Sequence, residues 1–442
     1  MRKAQKKLLA RLRRPRLDDA TAFVLLWTYF DSVGLSDVES SFIGRSLFPQ
    51  KIDPFPLRTD DAGYDPAAGL AELESALDAS QFDQKVAAWL KGLDALLVRQ
   101  KGTFEHCAIL GFDRKRYRVR QRNQYIASRF AQREREIEGS QKQSLSLTAY
   151  CRNFCAVPAE LIRGFRIRSL GPTQWGDRSV DDRLRVAAKE SLRFLCWPLR
   201  SKLIKHRDRA ETRPGDNDHW LVRLTVDTEG GVEAHRRELA RAVEAAARER
   251  AAILVLPELS TATKDVEFLR SILTGRQYPI LTIAGIEHRR RGKSYVNEAV
   301  LLGPHGKLLH THRKLTRYKV RNAIERTLTG KTLTVLESVI GNICPLICLD
   351  LFHPEISALV RSSHANILLT PSLSPTTTAH QNAAKNYLNT NLATTLVSNR
   401  CFKSRERKEK TTFALLPGKD DANNTIWRHF ELTADYLLVV VE

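Results

Sequence analysis

The spacing of apolar positions separates the chain into two halves of different character. From residue 220 onward, short apolar runs alternate with amphipathic stretches, the pattern of an α/β domain in which strands and helices take turns. Leu221 to Val226 predicts a strand and Val232 to Arg250 an amphipathic helix. Ala251 to Leu256 is apolar throughout, as in a strand covered on both faces. Ile280 to Glu287 and Tyr295 to Leu302 predict strands on either side of the basic turn Arg289 to Lys293, and Gly303 to Gly306 turns the chain into a strand over Lys307 to His312. Thr332 to Ser338 and Ile343 to Cys348 predict the next pair. Pro354 to Ser363 then reads as a helix, Ala365 to Thr370 as a strand, Gln381 to Thr390 as a helix and Ala393 to Ser398 as a strand. Thr411 to Leu416 and Tyr436 to Val441 close the series.

The first half follows a helical period. Residues 17–47 place Phe23, Leu26, Trp27 and Phe30 on one face before the Pro-rich stretch Phe48 to Leu57 stops the helix. An acidic piece with Asp60, Asp61, Asp65, Glu72 and Glu74 precedes a second amphipathic helix over Gln81 to Val98. Arginine dominates Phe112 to Glu138, and Arg114, Arg116, Arg118, Arg120 and Arg122 fall on every second residue. A strand would put these guanidinium groups on one face, suited to phosphates, with Tyr117 and Tyr125 for base stacking; a solvated basic face or one docked on the acidic piece remains open. The polar run Lys205 to His219 contains Pro-Gly and reads as a linker. The expected division is a mostly helical basic domain over 1–204, a linker over 205–219 and an α/β domain over 220–442.

Composition adds three constraints. The formal net charge of +21 over 442 residues is spread over both halves, which favours encounter with acidic partners without naming one. Seven cysteines are too few and too odd a set for a disulfide framework, so a reducing cytoplasm is expected. The basic start leads into the apolar run Ala22 to Phe30, which is far shorter than the roughly 20 residues a bilayer requires; no membrane role is expected.

Three predicted strand ends carry reactive side chains. Leu254-Val255-Leu256-Pro257-Glu258 delivers a carboxylate, His310-Thr311-His312-Arg313-Lys314 an ammonium, and Ile343 to Cys348 a thiol at a sharp turn before Leu349 and Asp350. A thiol nucleophile needs a base to take its proton and a cation or N–H to receive the oxyanion it creates. Each residue alone has a plain reading as a turn carboxylate, a surface lysine or a buried cysteine. Their joint order points to acyl transfer from an amide or nitrile.

These stretches together resemble the nitrilase, or carbon–nitrogen hydrolase, superfamily: I-L-V-L-P-E-L around Glu258, A-G-I-E-H-R-R-R-G-K-S-Y-V-N-E-A-V-L-L-G-P-H-G-K-L-L-H-T-H-R-K ending at Lys314, and C-P-L-I-C-L-D-L-F-H-P-E around Cys348. The resemblance covers about 219–442 and implies an αββα sandwich that commonly pairs with a second copy. It implies Glu258 as general base, Lys314 with the Leu349 backbone N–H as oxyanion stabiliser, and Cys348 as nucleophile through a thioester, with no metal or organic cofactor. A second glutamate follows the lysine in many relatives, and Glu325 is the candidate here. Phe352 and His353 stand where many relatives have Arg and Phe, so His353 either contacts substrate or faces solvent. The expected activity is hydrolysis of a non-peptide carbon–nitrogen bond in a small amide or nitrile. The alternative is a nucleic-acid- or partner-binding protein, of the kind found in bacterial defence, that uses the nitrilase fold as a scaffold.

Overall fold

The computed structural model describes residues 3–13, 17–33, 66–99, 109–110, 116–121, 154–158, 164–171, 174–175, 177, 179–199, 203–209, 220–226, 231–292, 294–320, 323–391, 393–400, 412–419, 425–431 and 436–441. The N-terminal part holds helices α1 (Lys3–Leu12), α2 (Asp19–Ser32), α3 (Pro66–Glu74) and α4 (Ala79–Arg99), and a small sheet of β1 (Ile109–Leu110), β2 (Arg116–Gln121) and β3 (Phe154–Pro158). Phe23, Leu26 and Phe30 of α2 bury in one core with Phe82, Val86, Trp89 and Leu93 of α4.

The remaining elements run β4 (Arg166–Leu170), α5 (Ser179–Glu190), β5 (Leu192–Cys196), β6 (Leu203–Arg209), β7 (Trp220–Val226), α6 (Val232–Arg248), β8 (Ile253–Val255) and α7 (Val266–Leu273). They continue with β9 (Leu281–Arg291), β10 (Ser294–Leu302), β11 (Leu308–Arg313), β12 (Lys319–Val320), β13 (Ala323–Glu325), β14 (Thr332–Ser338) and β15 (Gly341–Pro345). The last are α8 (Pro354–Ser363), β16 (Ile367–Ser372), α9 (Thr378–Asn391), β17 (Thr394–Asn399), β18 (Phe413–Lys419), β19 (Thr425–Glu431) and β20 (Leu437–Val441).

Two sheets face each other. One has six strands in the order β11-β10-β9-β8-β5-β20, the other seven in the order β19-β18-β17-β16-β15-β14-β4. The alternation of side chains along each strand builds three apolar layers. Ile253 and Val255 of β8 turn inward with Phe194 and Ile283 to meet Ile343, Ile367, Leu369 and Leu396 of the opposite sheet. Leu254 turns outward under Leu239, Ala242 and Val243 of α6 and Leu269 of α7. On the far side, Leu368 and Val397 lie under Ile356, Leu359 and Val360 of α8 and Tyr387 and Leu388 of α9. Each fully buried Leu, Ile or Val stabilises the assembly by roughly 1.5–3 kcal/mol. The architecture is an αββα sandwich, the fold class expected.

The sandwich begins upstream of the expected start at 220. Strand β4 pairs in parallel with β14 from Arg166↔Thr332 to Leu170↔Leu336, and β5 lies between β8 and β20. Residues 205–209 of the expected linker belong to β6, which runs antiparallel to β7. The reason is legible in β4 and β6: R-I-R-S-L and L-I-K-H-R-D-R mix charge into short strands, as edge strands do, and so imitate linker composition. Strands β6 and β7 join β13 and β12 in a four-stranded sheet.

The alternating arginines do form a strand, since Arg116, Arg118 and Arg120 lie on β2. Tyr117 is partly buried against the helical core and Val119 is 4% exposed. The predicted helix over 17–47 is helical over 19–32. Arg114, Arg122, Tyr125, the Pro-rich stretch at 48–57, Asp60, Asp61, Asp65 and residues 210–219 lie outside the described residues. Among the described residues no helix is long and apolar enough to cross a membrane, and no group of three or more His, Cys, Asp or Glu is placed to hold a metal ion.

Candidate active site

Glu258, Lys314, Glu325 and Cys348 converge from four strand ends, and all are buried, with 3%, 3%, 8% and 6% of their surface exposed. Glu258 follows β8 on a turn in which Leu259 adopts a φ of 55°. That turn lies directly on Gly285 of β9: a Cβ there would sit 2.6 Å from the Glu258 Cα and 2.7 Å from the Pro257 carbonyl oxygen. Glycine is required because backbone occupies the side-chain space. The Glu258 N–H donates to the Ser372 carbonyl of β16 (3.3 Å), so the turn is fixed to both sheets.

Cys348 opens a 3₁₀ turn, Cys348–Leu351, just past β15. Its φ of 47° is a conformation that costs a non-glycine residue about 1–3 kcal/mol. Asp350 supplies part of what holds it there. Its carboxylate accepts from Ile347 N (3.3 Å), Leu315 N (3.0 Å), Thr316 N (2.9 Å) and Thr316 Oγ1 (2.7 Å). One buried anion thus ties the cysteine turn to the residues that follow Lys314. The backbone of Lys314 is held from the other side by its N–H on Asn297 O (2.9 Å) and its carbonyl on Gly330 N (2.7 Å).

The charged atoms form one network. Lys314 Nζ donates to Glu258 Oε1 (2.8 Å) and to Glu325 Oε2 (2.9 Å). Asn297 Nδ2 donates to Glu258 Oε1 (2.8 Å) and Glu325 Oε1 (2.7 Å). Glu325 also accepts from Tyr318 N (3.0 Å) and lies 3.0 Å from His288 Nε2. Both donations to Glu258 fall on Oε1; among the described residues Oε2 accepts none.

Burial by itself would pull the Lys314 ammonium down, but Glu258 and Glu325 outweigh it and hold the pKa well above the ordinary lysine range. Burial likewise pushes Glu325 up, and Lys314, His288 and Asn297 overcome it, leaving the carboxyl below the usual range. Cys348 goes the other way. Burial and then the Glu258 charge push its thiol up to about 12, against the opposing pull of Lys314. The resting side chain is a thiol whose Sγ lies 3.7 Å from Leu373 O. It senses the charges of both Glu258 and Lys314.

Leu349 follows the cysteine, and among the described residues its N–H donates to no other group. His353 sits at the turn into α8, donating its N–H to Leu349 O and accepting Ser357 N (2.8 Å). Its ring makes no hydrogen bond to the four charged and thiol side chains among the described residues. Sequence reading passed over Asn297, His288, Gly285 and Asp350. Three carried a signal: an Asn inside an apolar strand, a Gly inside a buried one, and an Asp two residues past the cysteine. His288 stands at the head of a basic run and carried none.

Residues 229–404 match the carbon–nitrogen hydrolase family. Among solved structures, the chain is similar to an amidase from Nesterenkonia sp., at 17% identity over 56% of this chain and 89% of that one with a TM-score of 0.39. It is also similar to Nit3 of Saccharomyces cerevisiae, a member of branch 10 of the nitrilase superfamily, at 15% identity over 57% and 90% with a TM-score of 0.41. A variant of the Nesterenkonia amidase showing covalent addition of the acetamide moiety of fluoroacetamide at its active site cysteine matches at 16% identity over 57% and 89%, TM-score 0.37. No curated protein matches. The stretch that matches this family is the one that holds Glu258, Lys314, Glu325 and Cys348.

Proposed function

We propose that the protein hydrolyses a non-peptide carbon–nitrogen bond, in a small amide or nitrile, through a thioester on Cys348. The observation that carries this reading is the Lys314 ammonium, held between two buried carboxylates while the thiol beside it remains protonated. A thiol in that state attacks only as its proton leaves, and the acceptor is Oε2 of Glu258, which takes no hydrogen bond among the described residues. With an amide, the S–C bond forms as the proton moves to Glu258, and the carbonyl oxygen takes the negative charge. The Lys314 ammonium and the Leu349 N–H stabilise that charge. The C–N bond then breaks, and Glu258 returns the proton to the departing amine. Water gives a proton to Glu258 and attacks the thioester, releasing the acid and restoring the thiol. Glu325 takes no proton in this scheme, because its carboxyl already receives its full set of donors; it fixes Lys314 in place. The chemistry requires a reduced Cys348, which fits a reducing compartment such as the cytoplasm.

The test is ammonia release from a panel of short aliphatic and aromatic amides. Wild type releases ammonia from at least one, Cys348→Ala from none, and Lys314→Met runs roughly 100- to 1,000-fold slower. Release that persists in Cys348→Ala would remove the thioester from the scheme.

A further inference from the structure

Strand β7 lies upstream of the matched segment 229–404, yet it reaches the site through two consecutive residues of β9. The Val226 N–H donates to Glu287 Oε2 (3.0 Å) and the Leu224 N–H donates to His288 Nδ1 (3.0 Å). Strand β7 also pairs in parallel with β13, aligning Val222 with Glu325. A backbone N–H can only donate, so His288 Nδ1 must be the acceptor and carries no proton. The ring proton therefore resides on Nε2, which faces Glu325 Oε1 at 3.0 Å. Asn297 Nδ2 lies 3.3 Å from the same Nε2. Both of its hydrogens are used on the two carboxylates, so this approach is a packing contact.

We infer that His288 is a positioning residue: β7 fixes its tautomer, the Nε2–H holds Glu325, and Glu325 in turn holds Lys314. The ring is 5% exposed, so water does not replace either hydrogen bond, and a wrong tautomer would leave two donors or two acceptors face to face. This makes the β6–β7 hairpin part of the site's support, and it rests on the hydrolase reading for its catalytic consequence alone.

The test combines a spectroscopic and a kinetic readout on the full chain. Nitrogen-15 imidazole spectra at pH 7, with His288→Gln for assignment, are expected to show an Nε2–H ring. A ring protonated on Nδ1, or on both nitrogens, overturns the inference. For kinetics, alkylation of Cys348 by iodoacetamide is followed by intact mass. His288→Asn keeps an acceptor near Leu224 but offers no donor to Glu325, and is expected to slow alkylation about tenfold, the size of one hydrogen bond to a charged group. His288→Gln, which places an N–H at the Nε2 reach, restores most of the rate. Equal rates in wild type and both variants overturn the positioning role. Should His288→Asn fail to fold by circular dichroism, the wild-type imidazole spectrum and the His288→Gln rate still decide the matter. Glu258→Gln serves as the control for the chemistry: an unchanged rate there sinks the hydrolase reading, while the imidazole spectrum still decides whether His288 holds Glu325.

Discussion

At the scale of single residues, the site is a problem in buried charge. Lys314 neutralises two buried carboxylates, and removing it leaves both uncompensated. Lys314→Met is therefore expected to lower stability by about 3–5 kcal/mol, read as a shift in urea midpoint at constant m-value. The pair also sets a pH window. Glu325 is held below the usual carboxylate range, so its contribution is complete above an unfolded pKa of about 4.3 and is lost as pH falls through the folded value. Lys314 is held above its ordinary range, so its contribution is complete below about 10.4 and is lost as pH rises through the folded value. The destabilisation caused by Glu325→Gln should thus be constant from roughly pH 6 to 9 and shrink below pH 4; a gap that widens in acid contradicts this. Cys348, with its thiol pushed up to about 12, should alkylate faster with every step in pH up to 9. A plateau near pH 7 would mean a preformed thiolate.

At the scale of elements, two turns decide whether the chemistry is assembled. The Glu258 turn lies on Gly285, where any added Cβ meets backbone. Gly285→Ala is expected to cost about 1–3 kcal/mol through overpacking and to depress turnover more than stability, because the displaced atoms carry Glu258. Full turnover in that variant would show that the turn yields without moving the carboxylate. The Cys348 turn depends on Asp350, whose donors come from residues on both sides of the site. Much of this was legible in sequence. Apolar runs ahead of Glu258 and Cys348, and the strand Lys307 to His312 after the Gly303–Gly306 turn, located three strand ends, because buried strands are apolar and reactive groups stand where strands stop. His288 was not legible as a site residue, because a polar side chain heading a basic run reveals nothing of the carboxylate it faces; Asn297 signalled only a polar group inside an apolar strand, not its partners.

At the scale of the molecule, the sandwich extends beyond the segment that carries the chemistry. Strand β5 sits between β8 and β20, so a chain that starts at 220 would split the six-stranded sheet and lose the β4 edge of the other. A chain starting at 164 keeps every strand of both sheets and leaves out α1 to α4 and the core they form. That shorter protein should unfold cooperatively in urea and retain iodoacetamide labelling at Cys348, whereas the one starting at 220 should show neither. A contact does cross from the first half, since Trp27 meets the His364 ring edge-on at 5.2 Å; its loss is expected to lower the melting temperature modestly.

The sequence by itself determined the α/β alternation after residue 220, the strand ends bearing Glu258, Lys314 and Cys348, and the absence of a bilayer-length apolar run, since each follows from local periodicity and hydrophobicity. Only the tertiary structure decided that β4 and β5 complete the sheets, that Glu325 and Glu258 share one ammonium, and that β7 sets the His288 ring. Those facts are pairings between residues far apart in the chain. Hydrogen-bond partners and burial exist only once the two sheets close on each other.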